Sequence, residues 1–173
     1  MAPQLPDPFE HLLRPLFDAL PLDRALAELV VTKPVDGKPA EIVAAAVDHP
    51  DLRRRPDLGA GLWLYVDDLD KSHTLSQSMK NATGSFWHGI MHRREGDFDN
   101  SHYWFRKAGR HPAMARIDLA GGGAGAGTSV ARYDPHDLID KAAEAHRLKR
   151  HAPTLVATQR HEWLALFEWC AQR

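Results

Sequence analysis

Two histidines one helical turn apart, His88 and His92, are the residues of this chain best spaced to do chemistry. Residues four apart on a helix project from the same side, so both imidazoles could bind one divalent metal ion. At about 100° per residue, Glu95 falls on the same narrow stripe. A histidine beside a carboxylate titrates near neutral pH and can transfer protons. These three residues are therefore also the candidate catalytic set for acid–base chemistry.

A metal site built on this pair needs a ligand from elsewhere in the chain and an open position for water or substrate. His73 is the first candidate for that ligand, followed by Glu95 or His111. The pattern is not that of a metalloprotease, because Gly89 stands where that motif places its glutamate general base. The predicted ligands of a divalent metal, such as zinc, are His73, His88 and His92.

Further polar residues in the same part of the sequence are candidates for binding a small anionic ligand. Arginine recognises a carboxylate or phosphate through two parallel hydrogen bonds. The candidate ligand-binding residues are His73, Gln77, Arg93, Arg94, Asn100, Arg106 and His111. Three interpretations remain open at this point: a metal site, a metal-free ligand or acid–base site, and a polar network that only holds helices together.

The elements that position these residues are two predicted helices joined by a tight turn. The first covers about residues 85–95 and the second about 98–108, with Gly96 and Asp97 between them. Arg94 falls within the apolar arc of the first helix, so its guanidinium must reach solvent or find an acidic partner. Upstream, the apolar stripe of a helix over about 56–71 either continues to His73 and Gln77, or a capping box starts a new helix at Thr74.

Helical spacing recurs through the rest of the chain. It predicts helices over about 9–17, 21–30, 40–47, 135–145 and 153–171, with loops at 32–39 and at the glycine-rich stretch 120–129. The prediction is an all-α fold: one helical domain over residues 1–173, a bundle of about seven or eight helices around a central antiparallel helix-turn-helix.

Composition limits the class of protein. With 173 residues, 43% hydrophobic and a net charge of −1, the chain is long enough for one core and too apolar for a disordered tail. The chain has no excess of basic residues, which argues against a nucleic-acid partner. No apolar run reaches the length of a membrane span. The single cysteine, Cys170, cannot form an internal disulfide, so we expect a cytoplasmic location.

The central segment resembles an uncharacterised all-helical family of bacterial and fungal sequences. The similar residues run from Trp87-His88 through Met91-His92-Arg93-Arg94-Glu95-Gly96-Asp97, then Asn100, Tyr103-Trp104-Phe105-Arg106 and Gly109-x-His111-Pro112. The likeness extends back to His73-Thr74-Leu75-Ser76-Gln77. It covers about forty residues and brings no known activity or cofactor.

Two looser likenesses suggest alternatives. The helix pair around Gly96 and Asp97 resembles a tetratricopeptide unit, which implies an interaction module without catalytic activity. The aromatic and basic residues beside the turn would then contact a partner: Trp87, Trp104, Arg106 and Lys107. Only one such unit is present, whereas an array needs about three or more. The histidine pair also resembles small helical bundles that hold a metal with three histidines, although there the pair usually lies near the end of the chain.

Overall fold

The computed structural model describes residues 3–117 and 132–173, and it confirms the all-α bundle. Within those residues the chain forms eight α-helices and a 3₁₀ helix over Pro112–Arg116. The α-helices are α1 (Phe9–Ala19), α2 (Lys38–Asp48), α3 (Pro56–Tyr65), α4 (Leu69–Ser78), α5 (Ala82–Glu95), α6 (Phe98–Ala108), α7 (Pro135–Arg147) and α8 (Pro153–Ala171). The predicted glycine-rich loop at 120–129 lies outside the described residues.

The α5–α6 pair is the predicted central helix-turn-helix. Helix α5 ends at Gly96, whose φ of 89° places it in the left-handed region that glycine adopts without steric cost. Asp97 follows at once and caps α6, its carboxylate accepting from the Asn100 amide. Two residues thus reverse the chain, and α6 packs back along α5.

Gly89 lets these two helices approach closely. A Cβ at this position would lie 2.7 Å from a ring carbon of Phe105, which is closer than packed carbon atoms come. The Ser101 hydroxyl donates a 2.7 Å hydrogen bond to the Gly89 carbonyl at the same crossing. The glutamate of the metalloprotease pattern would not fit at position 89, because α6 occupies the space that a side chain there would need.

Helix α5 is buried on every side, which is unusual for a helix that carries two consecutive arginines. All residues from 83 to 94 are buried. Arg93 pairs with Glu162 of α8, and Arg94 pairs with Asp67, which precedes α4. The sequence expectation that Arg94 needs an acidic partner is confirmed, and both partners come from distant parts of the chain.

The predicted helix at 21–30 is wrong. After α1 the chain forms turns as far as α2, and Leu26 has a left-handed φ of 52°. Long-range hydrogen bonds fix this segment: the Gln159 side chain donates to the carbonyls of Leu26 and Glu28, and Arg94 also donates to Glu28. These contacts satisfy backbone groups that a helix would have satisfied internally.

Neither prediction for residues 66–77 is correct. Helix α3 does not continue to His73, because the backbone turns at Asp67, which has a φ of 60°. The capping box at Thr74 does not form either, since α4 already begins at Leu69, with the Asp68 carboxylate accepting from the Lys71 amide. His73 consequently lies in the middle of α4. This helix is separate from α3, which precedes it, and from α5, which carries His88 and His92.

We expect Gly89→Ala to lower the free energy of unfolding by about 1–3 kcal/mol, the usual cost of overpacking a core. The added methyl group would collide with the Phe105 ring. Urea denaturation measures the effect. Phe105→Leu frees space at this point, so the alanine should cost less in the Phe105→Leu background than in the wild type. Equal costs in both backgrounds would contradict the assigned collision.

Candidate metal centre

Three histidines from two helices meet on one side of α5. One nitrogen from each of His73, His88 and His92 lies within 4.8 Å of the other two. The His88 and His92 rings stack nearly parallel, with centroids 4.8 Å apart, and His73 turns its ring across both, at 4.7 and 5.4 Å. The packing of α4 against α5 thus brings His73 beside the histidine pair of α5.

His88 is the most deeply buried member of this three-histidine cluster. Its residue is 1% exposed, and its ring lies flat against the Trp104 ring with centroids 3.9 Å apart. Burial, the neighbouring imidazoles and Lys107 lower the pKa of His88 to about 3. The ring is therefore neutral at pH 7, which is the form that binds metals. Its Nδ1 atom is one of six buried side-chain atoms in the described residues that have no hydrogen-bond partner.

Glu95 is paired with His92. The Nδ1 of His92 lies 3.0 Å from a Glu95 carboxylate oxygen. A carboxylate on one ring nitrogen fixes the orientation of the ring and leaves Nε2 as the nitrogen for a metal. Burial lowers the pKa of His92, and the hydrogen bond to Glu95 opposes that effect. Asp97 lies in the same group, since one ligand atom each from His92, Glu95 and Asp97 lie within 4.8 Å.

The His73 side of the cluster is the open side. His73 is half-buried, Glu95 is half exposed, and Trp104 is partly covered, whereas His88 and His92 are buried. An ion or a water molecule entering from solvent would therefore meet His73 first.

Several sequence candidates do not join the cluster. Arg93 and Arg94 are fully buried and hydrogen-bonded to Glu162 and Asp67, so we assign them to the core rather than to an external ligand. Their guanidinium donors are used within the protein, and an anion would have to replace a buried carboxylate to reach them.

His111 lies at the opposite end of α5 from His92. Its Nε2 is 3.1 Å from the Thr83 hydroxyl in the first turn of that helix, and its Nδ1 accepts from the Ala113 amide. Nine residues of helix, about 14 Å at 1.5 Å per residue, separate Thr83 from His92. His111 therefore caps the 3₁₀ helix and is not a ligand of the cluster.

The remaining three candidates lie on the surface. The side-chain amide of Asn100 donates to Asp97 at the start of α6, a local capping contact. Gln77 is exposed in the last turns of α4, and Arg106 is exposed near the end of α6. Their placement leaves their predicted role in ligand binding as a prediction.

Sequence reasoning assigned two site residues too little importance. Trp104 and Lys107 were considered only as contact residues of an interaction module. In the structure Trp104 covers His88, and the Lys107 ammonium lies 4.3 Å from the centroid of a Trp104 ring. The tight turn at Gly96 could have predicted the contact between Trp104 and His88, because it sets residue 104 opposite residue 88.

Comparisons with protein-family models, curated proteins and solved structures found no match to this chain. The resemblance to bacterial and fungal sequences therefore stays a prediction, and the site is interpreted from its own geometry. Among the described residues, no helix combines the length and apolar character that a membrane span requires.

The buried His111 predicts a loss of stability in acid. Burial lowers the pKa of His111 to about 4, with a further contribution from the Arg173 charge, whereas the unfolded chain titrates near 6.5. Between those values the unfolded state binds the additional proton, so the stability from this residue is complete above about pH 6.5 and lost towards pH 4. Urea unfolding across this range should show that the free energy of unfolding decreases as the pH is lowered.

His111→Asn is the matched variant, because the asparagine oxygen can still accept from the Ala113 amide. We expect the slope between pH 4.5 and 6 to decrease by about 1.4 kcal/mol per pH unit, the value of one proton. His88 and His92 should sustain a residual slope, since their pKa values are also lowered. An unchanged slope in the variant would show that His111 does not titrate in this range.

Proposed function

We propose that this protein binds a divalent metal ion of the zinc type through His73, His88 and His92, leaving a position open for water or a small anionic ligand. The observation that carries the proposal is the convergence of three imidazoles, two from α5 and one from α4, to within 4.8 Å. The unpartnered, buried Nδ1 of His88 supports it, because a buried polar atom is expected to have a partner.

The donor set favours a particular group of metals. Neutral imidazoles suit zinc, copper, nickel and iron, whereas magnesium and calcium prefer oxygen ligands. Three protein ligands with a fourth position free is the pattern of a catalytic zinc site, whereas structural sites have four protein ligands. Zinc–nitrogen bonds of about 2.0–2.1 Å place tetrahedral ligand nitrogens about 3.3 Å apart, so the rings would have to converge further than in the structure.

A metal in this position would supply a Lewis acid and lower the pKa of a bound water towards neutrality. The residues of the chain have separate tasks around it. Glu95 orients His92, Trp104 covers the face of His88 against solvent, and half-buried His73 leaves the route of entry. Lys107, close enough to His88 to lower its pKa, would favour an anionic ligand over a neutral or cationic one.

The alternative of a tetratricopeptide-like interaction module has less support. That interpretation needs an exposed aromatic patch beside the turn of the helix pair. Trp87, one of its four expected contact residues, is completely buried in the core. Tyr103 is 46% exposed, but a single exposed aromatic ring is ordinary for a protein surface.

Zinc binding by the purified chain tests the proposal. The protein is prepared without a histidine tag, freed of metal with a chelator, and titrated with zinc by calorimetry. We expect one ion per chain. His73→Gln and His88→Gln should each weaken binding by more than the 10- to 100-fold typical of an outer-shell partner, and Glu95→Gln by about 10- to 100-fold.

His11→Gln is the matched control, because His11 is exposed on α1 and lies outside the cluster. It should bind zinc as the wild type does. His73→Gln is the most informative ligand variant, since His73 is only half-buried and its replacement leaves the core intact. Wild-type zinc affinity in both the His73 and His88 variants would refute the site.

Zinc binding should also change the environment of Trp104. A metal lies in the plane of each imidazole that binds it, so the parallel His88 and His92 rings must rotate to share one ion. That rotation disturbs the stacking of His88 on Trp104. We expect a change in intrinsic fluorescence on zinc addition that disappears in Trp104→Phe, while calorimetry still shows binding. The same fluorescence change in Trp104→Phe would place the disturbed tryptophan elsewhere.

A further inference from the structure

The loop between α7 and α8 faces the turn segment 27–30, whose Val30 lies close to Gly96 at the end of α5. These two segments, with the adjoining ends of α7 and α8, line a half-open cavity of about 530 Å³, within the range of small-molecule sites. Its apolar wall is formed by aliphatic residues of both segments, including Leu29, Val30 and Val156. Its rim is formed by the sequence His-Arg-Leu-Lys-Arg-His at 146–151.

The rim carries basic side chains that have no ion-pair partner among the described residues. Arg147, Lys149 and Arg150 line the cavity together with two histidines, and Glu28 is the acidic residue among its lining residues. In residues 3–117 and 132–173, no carboxylate forms an ion pair with any of these three basic side chains. The whole chain has a net charge of −1, so this concentration of positive charge is local.

The start of α8 adds to the positive potential. The helix follows Ala152, whose side chain cannot accept a hydrogen bond, and no acidic residue occupies its first turn. The partial positive charge at the N-terminus of this 19-residue helix is therefore not compensated by a side chain. Ala152 itself lines the cavity, so this charge acts beside the same space as the basic rim.

The opposite wall of the cavity is held in place from inside the core. The Glu28 carbonyl accepts from both Arg94 and Gln159, and the Val31 amide donates to the Arg94 carbonyl. Arg94 and Gln159 are fully buried, so the segment that carries Leu29 and Val30 has little freedom to collapse into the space. A preformed cavity binds with a smaller entropic cost than one that must open.

We propose that this cavity binds a small amphiphilic anion, with a phosphate or carboxylate on the basic rim and an apolar body against the aliphatic wall. The charge of the rim and of the α8 N-terminus selects the head group, and the size and lining of the cavity select the body. The site shares no ligand residue with the three-histidine cluster, so it does not depend on the metal proposal.

Calorimetric titration of the full chain, with metal removed by a chelator, tests this proposal. The probes are octyl phosphate and octanoate below their micelle concentrations, inorganic phosphate as head group alone, and octyl glucoside as a neutral body. We expect at least one of the two amphiphilic anions to bind about tenfold or more tightly than either control. Comparison of octyl phosphate with octanoate identifies the preferred head group.

Lys149→Gly separates binding from folding. Lys149 has a φ of 49°, which glycine adopts more readily than lysine, so this variant should be at least as stable as the wild type while it loses one rim charge. We expect its affinity for the preferred anion to fall about tenfold, with a similar loss in Arg150→Gln. Lys80→Gln, which removes a charge at the end of α4, should bind as the wild type does.

Three results would overturn the proposal. Inorganic phosphate binding as tightly as octyl phosphate would reduce the rim to a general anion surface. Unchanged affinity in both Lys149→Gly and Arg150→Gln would place the ligand elsewhere. Displacement of the bound anion by a single-stranded oligonucleotide at lower concentration than by octyl phosphate would make the surface a polyanion site.

Discussion

The burial of two consecutive arginines on α5 is the constraint on which the rest of the structure depends. A guanidinium removed from water without a partner costs several kcal/mol, so Arg93 and Arg94 must each meet a carboxylate inside the protein. Glu162 and Asp67 meet that requirement. Glu162 lies in α8, and Asp67 lies between α3 and α4. Rotating α5 about its axis would break both pairs at once. The helix therefore has one orientation, and the direction in which its histidines point is fixed with it.

The pair between Arg94 and Asp67 also accounts for the unusual backbone of the turn between α3 and α4. Asp67 adopts a left-handed backbone, and Arg94 then reaches both its carboxylate and the Leu64 carbonyl. That turn separates α3 from α4 and gives α4 its own direction, which sets His73 across from the paired histidines. A buried charge in one helix thus determines where the third histidine of the cluster lies.

Much of this arrangement could be predicted from local patterns. The turn at Gly96 and Asp97, the pairing of His88 with His92, and the need of Arg94 for a partner all follow from spacing and residue type. The identity of the partners does not, because Glu162 lies 69 residues from Arg93 and no periodicity connects them. The turn segment after α1 was wrongly predicted as a helix for a related reason: its backbone is satisfied by Gln159 and Arg94, which are remote in sequence.

The three helices around the three-histidine cluster, α4, α5 and α6, are consecutive in the chain, from Leu69 to Ala108, and their contacts join residues close in sequence. Local contacts form quickly, since closing short loops costs little entropy. The carboxylate that neutralises Arg93 belongs to α8, which leaves the ribosome after helices α1 to α7. A nascent chain can therefore assemble the three imidazoles while one guanidinium beside them still lacks its counter-charge, and only the arrival of α8 completes the burial of α5.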